Sequence, residues 1–205
     1  MTNAHWQPEL FAAAAPCGVH VMQDEEGFPA SEEWRLQRYP MPFITVVGEE
    51  EGTNVMPYNR DDPPRKNTYS VNTAQLMQRN RELGLERPNR GGKKPSLAAD
   101  KIALLNRRLR LCGCREIPYE DCLAAVESED IVNRKIGAVC GETEDRFVHG
   151  QHHYIGSFRN AEGKLRFRAV CVENVPHTAH YSMAEIVWEF LSRFRRAADG
   201  SLIEE

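Results

Sequence analysis

The chain of 205 residues is 41% hydrophobic and 27% charged, the balance of a globular protein with one sizeable core. A formal net charge of −4 argues against a general nucleic-acid binder, and the basic clusters Arg90-Gly-Gly-Lys-Lys94 and Arg107-Arg-Leu-Arg110 read as a loop and a solvated helix face. No apolar run approaches membrane-spanning length, and Phe11-Ala-Ala-Ala-Ala15 lacks a basic segment before it, with Glu9 interrupting it, so neither membrane insertion nor export is expected and the chain reads as cytoplasmic.

Residues 1–7 read as the tail of a helix ending in the turn Gln7-Pro-Glu-Leu-Phe11, and residues 12–21 as a short buried strand. A loop with Gly27 and Pro29 and a short helix over 31–38 follow. Pro40-Met-Pro-Phe-Ile-Thr-Val-Val47 is the best buried strand in the chain, β-branched and apolar, stopping at Gly48. Glu49-Glu-Glu-Gly52 comes directly after it. In open parallel sheets the C-terminal ends of strands are where functional groups collect.

Residues 59–67 are a proline-rich loop, 73–83 a helix ending at Gly84, and 86–95 a linker rich in Pro, Gly and Lys. The region 59–139 thus reads as a loop or insertion within one domain spanning 1–205. Over 96–132 the pattern is helical but too weak to place elements. A hairpin begins within 148–158, turns at Asn160-Ala-Glu-Gly163 and returns as the strand starting at Leu165. Strands interspersed with helices give an α/β pattern.

After that strand, Ser182-Met-Ala-Glu185 is a capping box, and Met183, Ile186, Val187, Phe190, Leu191 and Phe194 share one helical face. Arg193, Arg195 and Arg196 crowd the helix's C-terminal end, where the dipole favours cations. Trp6 is expected in the core and Trp188 over the sheet. Between strand and helix lies Glu173-Asn-Val-Pro-His-Thr-Ala-His180. A histidine leaving a buried strand can be held with its ring facing a cleft, as general-base catalysis requires, and the same residues also suit a solvated loop.

The six cysteines, Cys17, Cys112, Cys114, Cys122, Cys140 and Cys171, form no CxxC pair and are expected reduced, with Cys171 in the core. His149-Gly-Gln-His-His153 could offer Zn²⁺ ligands together with Cys140 or His180. In a strand, however, His152 and His153 point to opposite faces, so no metal is expected there. Neither G-x-G-x-x-G nor a P-loop is present, and no cofactor is expected.

Four pieces resemble, in a single order, α/β-hydrolases of the poly(3-hydroxybutyrate) depolymerase and feruloyl-esterase type. Pro8-Glu-Leu-Phe-Ala-Ala-Ala-Ala-Pro-Cys-Gly18 resembles the segment after the nucleophile elbow, and Pro42-Phe-Ile-Thr-Val-Val-Gly-Glu-Glu-Glu51 the following strand and acid loop. The stretch from Phe158-Arg-Asn-Ala-Glu-Gly163 to Val175-Pro-His177 is similar to the hairpin leading to the catalytic histidine. Trp188-Glu-Phe-Leu-Ser-Arg-Phe194 is similar to the closing helix. The resemblance implies an ester hydrolase whose triad base is His177 and whose orienting acid is Glu51. His180 is the alternative base, and Glu50 or Glu49 the alternative acid. Its substrate would be a small acyl ester, a polyester or an acylated polysaccharide.

That family carries its nucleophile on G-x-S-x-G, and this sequence contains none; Ser157 follows Gly156 but lies on the wrong side of the acid. Met1-Thr-Asn-Ala-His-Trp6 resembles the helix that follows the elbow. The expectation is therefore a partial α/β-hydrolase fold: the C-terminal strands and helices of a mostly parallel sheet, without the nucleophile-bearing strands. Such a chain would be inactive alone and prone to associate through an exposed sheet edge. The competing reading is a non-catalytic α/β domain acting as a binding or partner subunit. A third is a small metal- or ligand-binding protein built on the histidine-rich hairpin.

Overall fold

A computed structural model of the protein describes residues 10–15, 39–50, 105–106, 108–110, 112–176 and 180–205. The expectations for 1–9, 16–38 and 51–104, including the helix over 73–83, lie outside the described residues.

The β-branched run identified from sequence forms β1 (Phe43–Glu50). Two short helices follow, α1 (Tyr119–Glu127) and α2 (Ile131–Ile136). Next come β2 (Glu142–Val148), β3 (Gln151–Arg159) and β4 (Leu165–Pro176). The chain closes with α3 (Met183–Leu191) and the small hairpin β5 (Phe194–Arg196) and β6 (Leu202–Glu204).

The main sheet has the order β1-β4-β3-β2. β1 pairs with β4 in parallel, while β4–β3 and β3–β2 are antiparallel. Among the described residues the sheet is therefore mixed, not mostly parallel, because the chain from β2 to β4 is a meander with tight turns. On the far side of β1, Ala14 forms a parallel bridge with Phe43, with Ala14 N–H donating to Pro42 O and Ile44 N–H to Ala14 O, each at 3.0 Å. Of the stretch expected as a strand, 12–21, only 12–15 are described, and they contribute this single bridge.

Both faces of the sheet are covered. Phe43, Phe167 and Cys171 lie under Cys122, Val132 and Ile136 on one face. On the other, Ile44, Val170 and Val172 lie under Met183, Ile186 and Phe190 of α3. Residues 105–110 are helical where described, and Arg108 Nη1 donates to Thr45 Oγ1 at 2.9 Å, tying that segment to β1. Alternation sends His153 inside, fully buried, and leaves His152 at the surface, where Asp145 holds it. Cys171 is buried as expected, and the turn at Asn160 closes through Asn160 N–H to Lys164 O and Gly163 N–H to Asn160 O.

Several expectations are corrected. Val148 ends β2 and does not begin the hairpin strand, which starts at Gln151. Ser182 makes no capping-box bond: its hydroxyl lies 2.7 Å from His180 Nδ1, and Glu185 reaches toward His149. Helix α3 stops at Leu191, so Phe194 is buried from a strand and not from the helix face. The three arginines do not decorate a helix end. Arg193 pairs with Glu204, Arg195 with Glu205, and Arg196 donates to the carbonyls of Phe11, Tyr39, Pro40 and Gly200. Trp188 does not cover the sheet; it is 70% exposed, one residue round the helix from the buried stripe. Among the described residues, no helix is long and apolar enough to cross a membrane.

Candidate functional site

Two adjacent parallel strands end together at one edge of the sheet. The β1–β4 register runs from Phe43↔Phe167 to Gly48↔Val172, then resumes at Glu50↔Pro176. Glu51 and His177, the expected acid and base, are each the next residue in the sequence after that last pair. Both lie outside the described residues, as do Thr178 and Ala179. Glu50 is the final residue of β1.

Glu49 is already committed elsewhere. Its carboxylate is paired with the Lys135 ammonium and accepts the Asn174 N–H at 3.2 Å. The side chain of Glu50 and the whole of Glu51 lie outside the described residues. The Lys135 Nζ also stands 5.2 Å from the centroid of the Tyr154 ring, and the Tyr154 hydroxyl donates to Glu173 Oε1 at 3.1 Å. Burial, then the Glu173 carboxylate, push the Tyr154 phenol above its ordinary range, so it stays protonated and donates.

His180 is placed poorly for a triad base. The Ser182 N–H, which can only donate, points at His180 Nδ1 at 3.3 Å, and the Ser182 hydroxyl approaches the same nitrogen at 2.7 Å. Nδ1 is therefore the unprotonated nitrogen and the proton resides on Nε2. A triad histidine needs the reverse: Nδ1–H given to a carboxylate and a free lone pair on Nε2.

Ser157, His152 and His153 Nδ1 have structural partners. Ser157 is buried in β3, its Oγ accepting from Arg168 Nε at 3.3 Å, and presents no nucleophile. His152 Nδ1 lies 2.7 Å from Asp145 Oδ1, which raises the basicity of that exposed ring. His153 gives its Nδ1–H to Gln151 O at 3.2 Å and leaves Nε2 buried with no protein partner. Burial lowers the basicity of His153, and the nearby His180 and Arg146 act in the same sense. Because His152 and His153 occupy opposite faces, they share no ion. Among the described residues there is no group of three or more His, Cys, Asp or Glu side chains arranged to hold a metal.

Sequence reasoning missed Lys135, Tyr154 and the structural use of Glu49 and Glu173. The one available signal was the glutamate run at a strand end, and its register depends on partners far away in the chain. A scan against models of known protein families matches none, and a search of curated proteins finds no significant match to this chain.

Proposed function

We propose that this chain supplies the acid and the histidine of a Ser–acid–His carboxylic-ester hydrolase of the α/β-hydrolase type. The observation that carries this reading is the parallel pairing of β1 with β4, which brings Glu50 and Pro176 to one sheet edge in register. The residues that follow them are the two that the resemblance singles out. The Ala14 segment, β1 and β4 lie side by side, parallel, in chain order, and in α/β-hydrolases acid and histidine follow the nucleophile in that order.

In this reading His177 Nε2 takes the proton of an attacking serine hydroxyl, then returns it to the departing alcohol. A carboxylate at Nδ1–H, from Glu51 or Glu50, fixes the tautomer and steadies the imidazolium. The sequence holds no G-x-S-x-G, so the nucleophile and the oxyanion-hole donors would come from another segment. The same absence favours the second reading, a non-catalytic α/β domain acting as a partner subunit.

Complementation tests the two readings. The chain is co-expressed with the serine-bearing N-terminal half of a depolymerase or feruloyl esterase, and p-nitrophenyl butyrate hydrolysis is followed. The chain alone should give background turnover, since loss of a triad nucleophile costs several orders of magnitude. The complex should gain activity that His177→Ala abolishes and His180→Ala keeps. Activity unaffected by His177→Ala, or fast turnover by the chain alone that a serine-directed organophosphonate blocks, would overturn the assignment.

A further inference from the structure

The β2–β3 hairpin carries a histidine for which the triad reading has no use. Phe147 and His152 stand opposite each other in the β2–β3 register, as do Asp145 and Tyr154, so the four side chains share one face of the sheet. His152 Nδ1 lies 2.7 Å from Asp145 Oδ1. A carboxylate only accepts, so Nδ1 carries the proton and, in the neutral ring, Nε2 holds the lone pair. Among the described residues no polar group bonds that Nε2. The ring is held on two sides, stacked on Tyr154 with centroids 6.0 Å apart and met edge-on by Phe147 at 5.0 Å. Tyr154 is fixed in turn by its hydrogen bond to Glu173 and by the Lys135 ammonium over its ring. No other described histidine is arranged this way. His153 has a buried Nε2, His180 has its proton on Nε2, and His149 turns Nε2 toward Glu185 at 3.7 Å. The His152 side chain is 40% exposed and Phe147 beside it 64%, so the imidazole is open to solvent next to an exposed aromatic surface.

We propose that His152 is a nucleophile, oriented by Asp145, that makes this hairpin a serine-independent acyl-transfer site for activated aryl esters. The Nε2 lone pair attacks the ester carbonyl carbon, and the bond to the aryl oxygen breaks with its electron pair leaving on the aryloxide. The acyl-imidazolium so formed keeps its Nδ1–H on the Asp145 carboxylate, which offsets the new positive charge. Water then adds to the acyl carbon and the bond to Nε2 breaks. The ring returns neutral, and the carboxylic acid gives its proton to solvent. Asp145 is the positioning residue. Its hydrogen bond to Nδ1 fixes the tautomer and favours the cation, with the Glu173 carboxylate acting in the same sense, and both make the ring more basic. Phe147 offers an aryl group an apolar surface beside the imidazole. An imidazole acting without an oxyanion hole serves only good leaving groups, and its turnover stays orders of magnitude below that of a triad esterase. The site needs neither a serine nor His177, so it stands apart from the triad reading.

Release of p-nitrophenolate from p-nitrophenyl acetate by the full chain tests this, with protein in excess so that a single acyl transfer is followed. The rate should rise with pH to a plateau as His152 loses its proton, and His152→Gln should lower that plateau about five-fold. His177→Gln should leave it unchanged. Asp145→Asn keeps an oxygen that accepts Nδ1–H but removes the charge, so the midpoint should move to lower pH and the plateau should fall. Equal rates in wild type and His152→Gln overturn the proposal, as does an Asp145→Asn profile that coincides with wild type. Loss in His177→Gln with His152→Gln unaffected, or block by a serine-directed organophosphonate, assigns the reaction to the triad. That outcome overturns this site and leaves the ester-hydrolase reading standing. A second measurement is independent of acylation at lysines: carbethoxylation by diethyl pyrocarbonate, resolved by peptide mass spectrometry. His152 should react faster than His149 and His153, and should slow in Asp145→Asn; reaction no faster than that of His149 overturns the proposal equally.

Discussion

His153 shows how one buried ring couples the stability of a fold to pH. It is fully buried in β3, with Nδ1–H given to Gln151 O and the Nε2 lone pair unpartnered. Burial disfavours its imidazolium, and neither Arg146 nor His180 nearby supplies an anionic partner, so the folded state favours the neutral ring. The stability gained this way is complete above the unfolded value of about 6.5 and is lost as pH falls through the lower folded value. His153→Leu should therefore narrow its melting-temperature deficit, or reverse it, on going from pH 7.5 to 5.5. A deficit that stays constant over that range would show that the ring titrates freely in the fold. A second residue-scale constraint is Gly156, where an added Cβ would stand 2.4 Å from Cys140 Sγ and 3.4 Å from Ile136 Cγ1. Gly156→Ala should cost about 1–3 kcal/mol, the range for overpacking. Urea denaturation of Gly156→Ala with Cys140→Ala should recover most of the loss, and a purely additive pair would refute the clash.

At the scale of elements, α2 is six residues long and depends on its ends. Asp130 Oδ1 accepts from Val132 N–H at 2.7 Å and Asn133 N–H at 3.3 Å, while Oδ2 accepts from the Thr143 hydroxyl at 2.6 Å. Burial works against the charge of Asp130, but these hydrogen bonds outweigh it and hold its carboxyl below the usual range. Gly137 closes the other end in the left-handed conformation. Asp130→Ala should cost about 1–2 kcal/mol and Asp130→Asn clearly less, measured by chemical denaturation. Because α2 carries Lys135, the same loss should loosen its pair with Glu49. The elements legible in sequence were those with a clear apolar pattern: β1 through a β-branched run buried on both faces, α3 through the one-sided stripe of Met183, Ile186 and Phe190. Strand β2, Glu-Thr-Glu-Asp-Arg-Phe-Val, buries only Val148 and so carries no alternation to read. Phe194 kept helical spacing with Phe190, yet its place was decided by pairing with Glu204 in β6, beyond the helix. The role of Glu49 was illegible for the same reason, since its partners are 86 and 125 residues away.

At the scale of the whole molecule, the two covered faces of the sheet make the cysteines a record of how the protein opens. Cys112, Cys114 and Cys122 belong to the layer that covers one face, whereas Cys171 lies on β4 beneath it. Burial pushes the Cys114 thiol up to about 11 and those of Cys122 and Cys140 up to about 12, and it raises Cys112 further still. Only thiolates attack, so these thiols are poorly reactive at pH 8 even before access is counted. Labelling of the native protein by an aromatic disulfide should therefore be slow at these positions and should follow opening of the structure. The order is the sharper expectation. Cys171 sits on a central strand, covered by the layer on one face and flanked by β1 and β3, so it cannot reach solvent until that layer has left. Peptide-level mass spectrometry across a urea series should find Cys171 labelled together with Cys112 and Cys122 or after them. Labelling of Cys171 first would mean that β1 separates from β4 while the layer stays in place. The edge that brings Glu50 to Pro176 would then be the weakest seam of the fold.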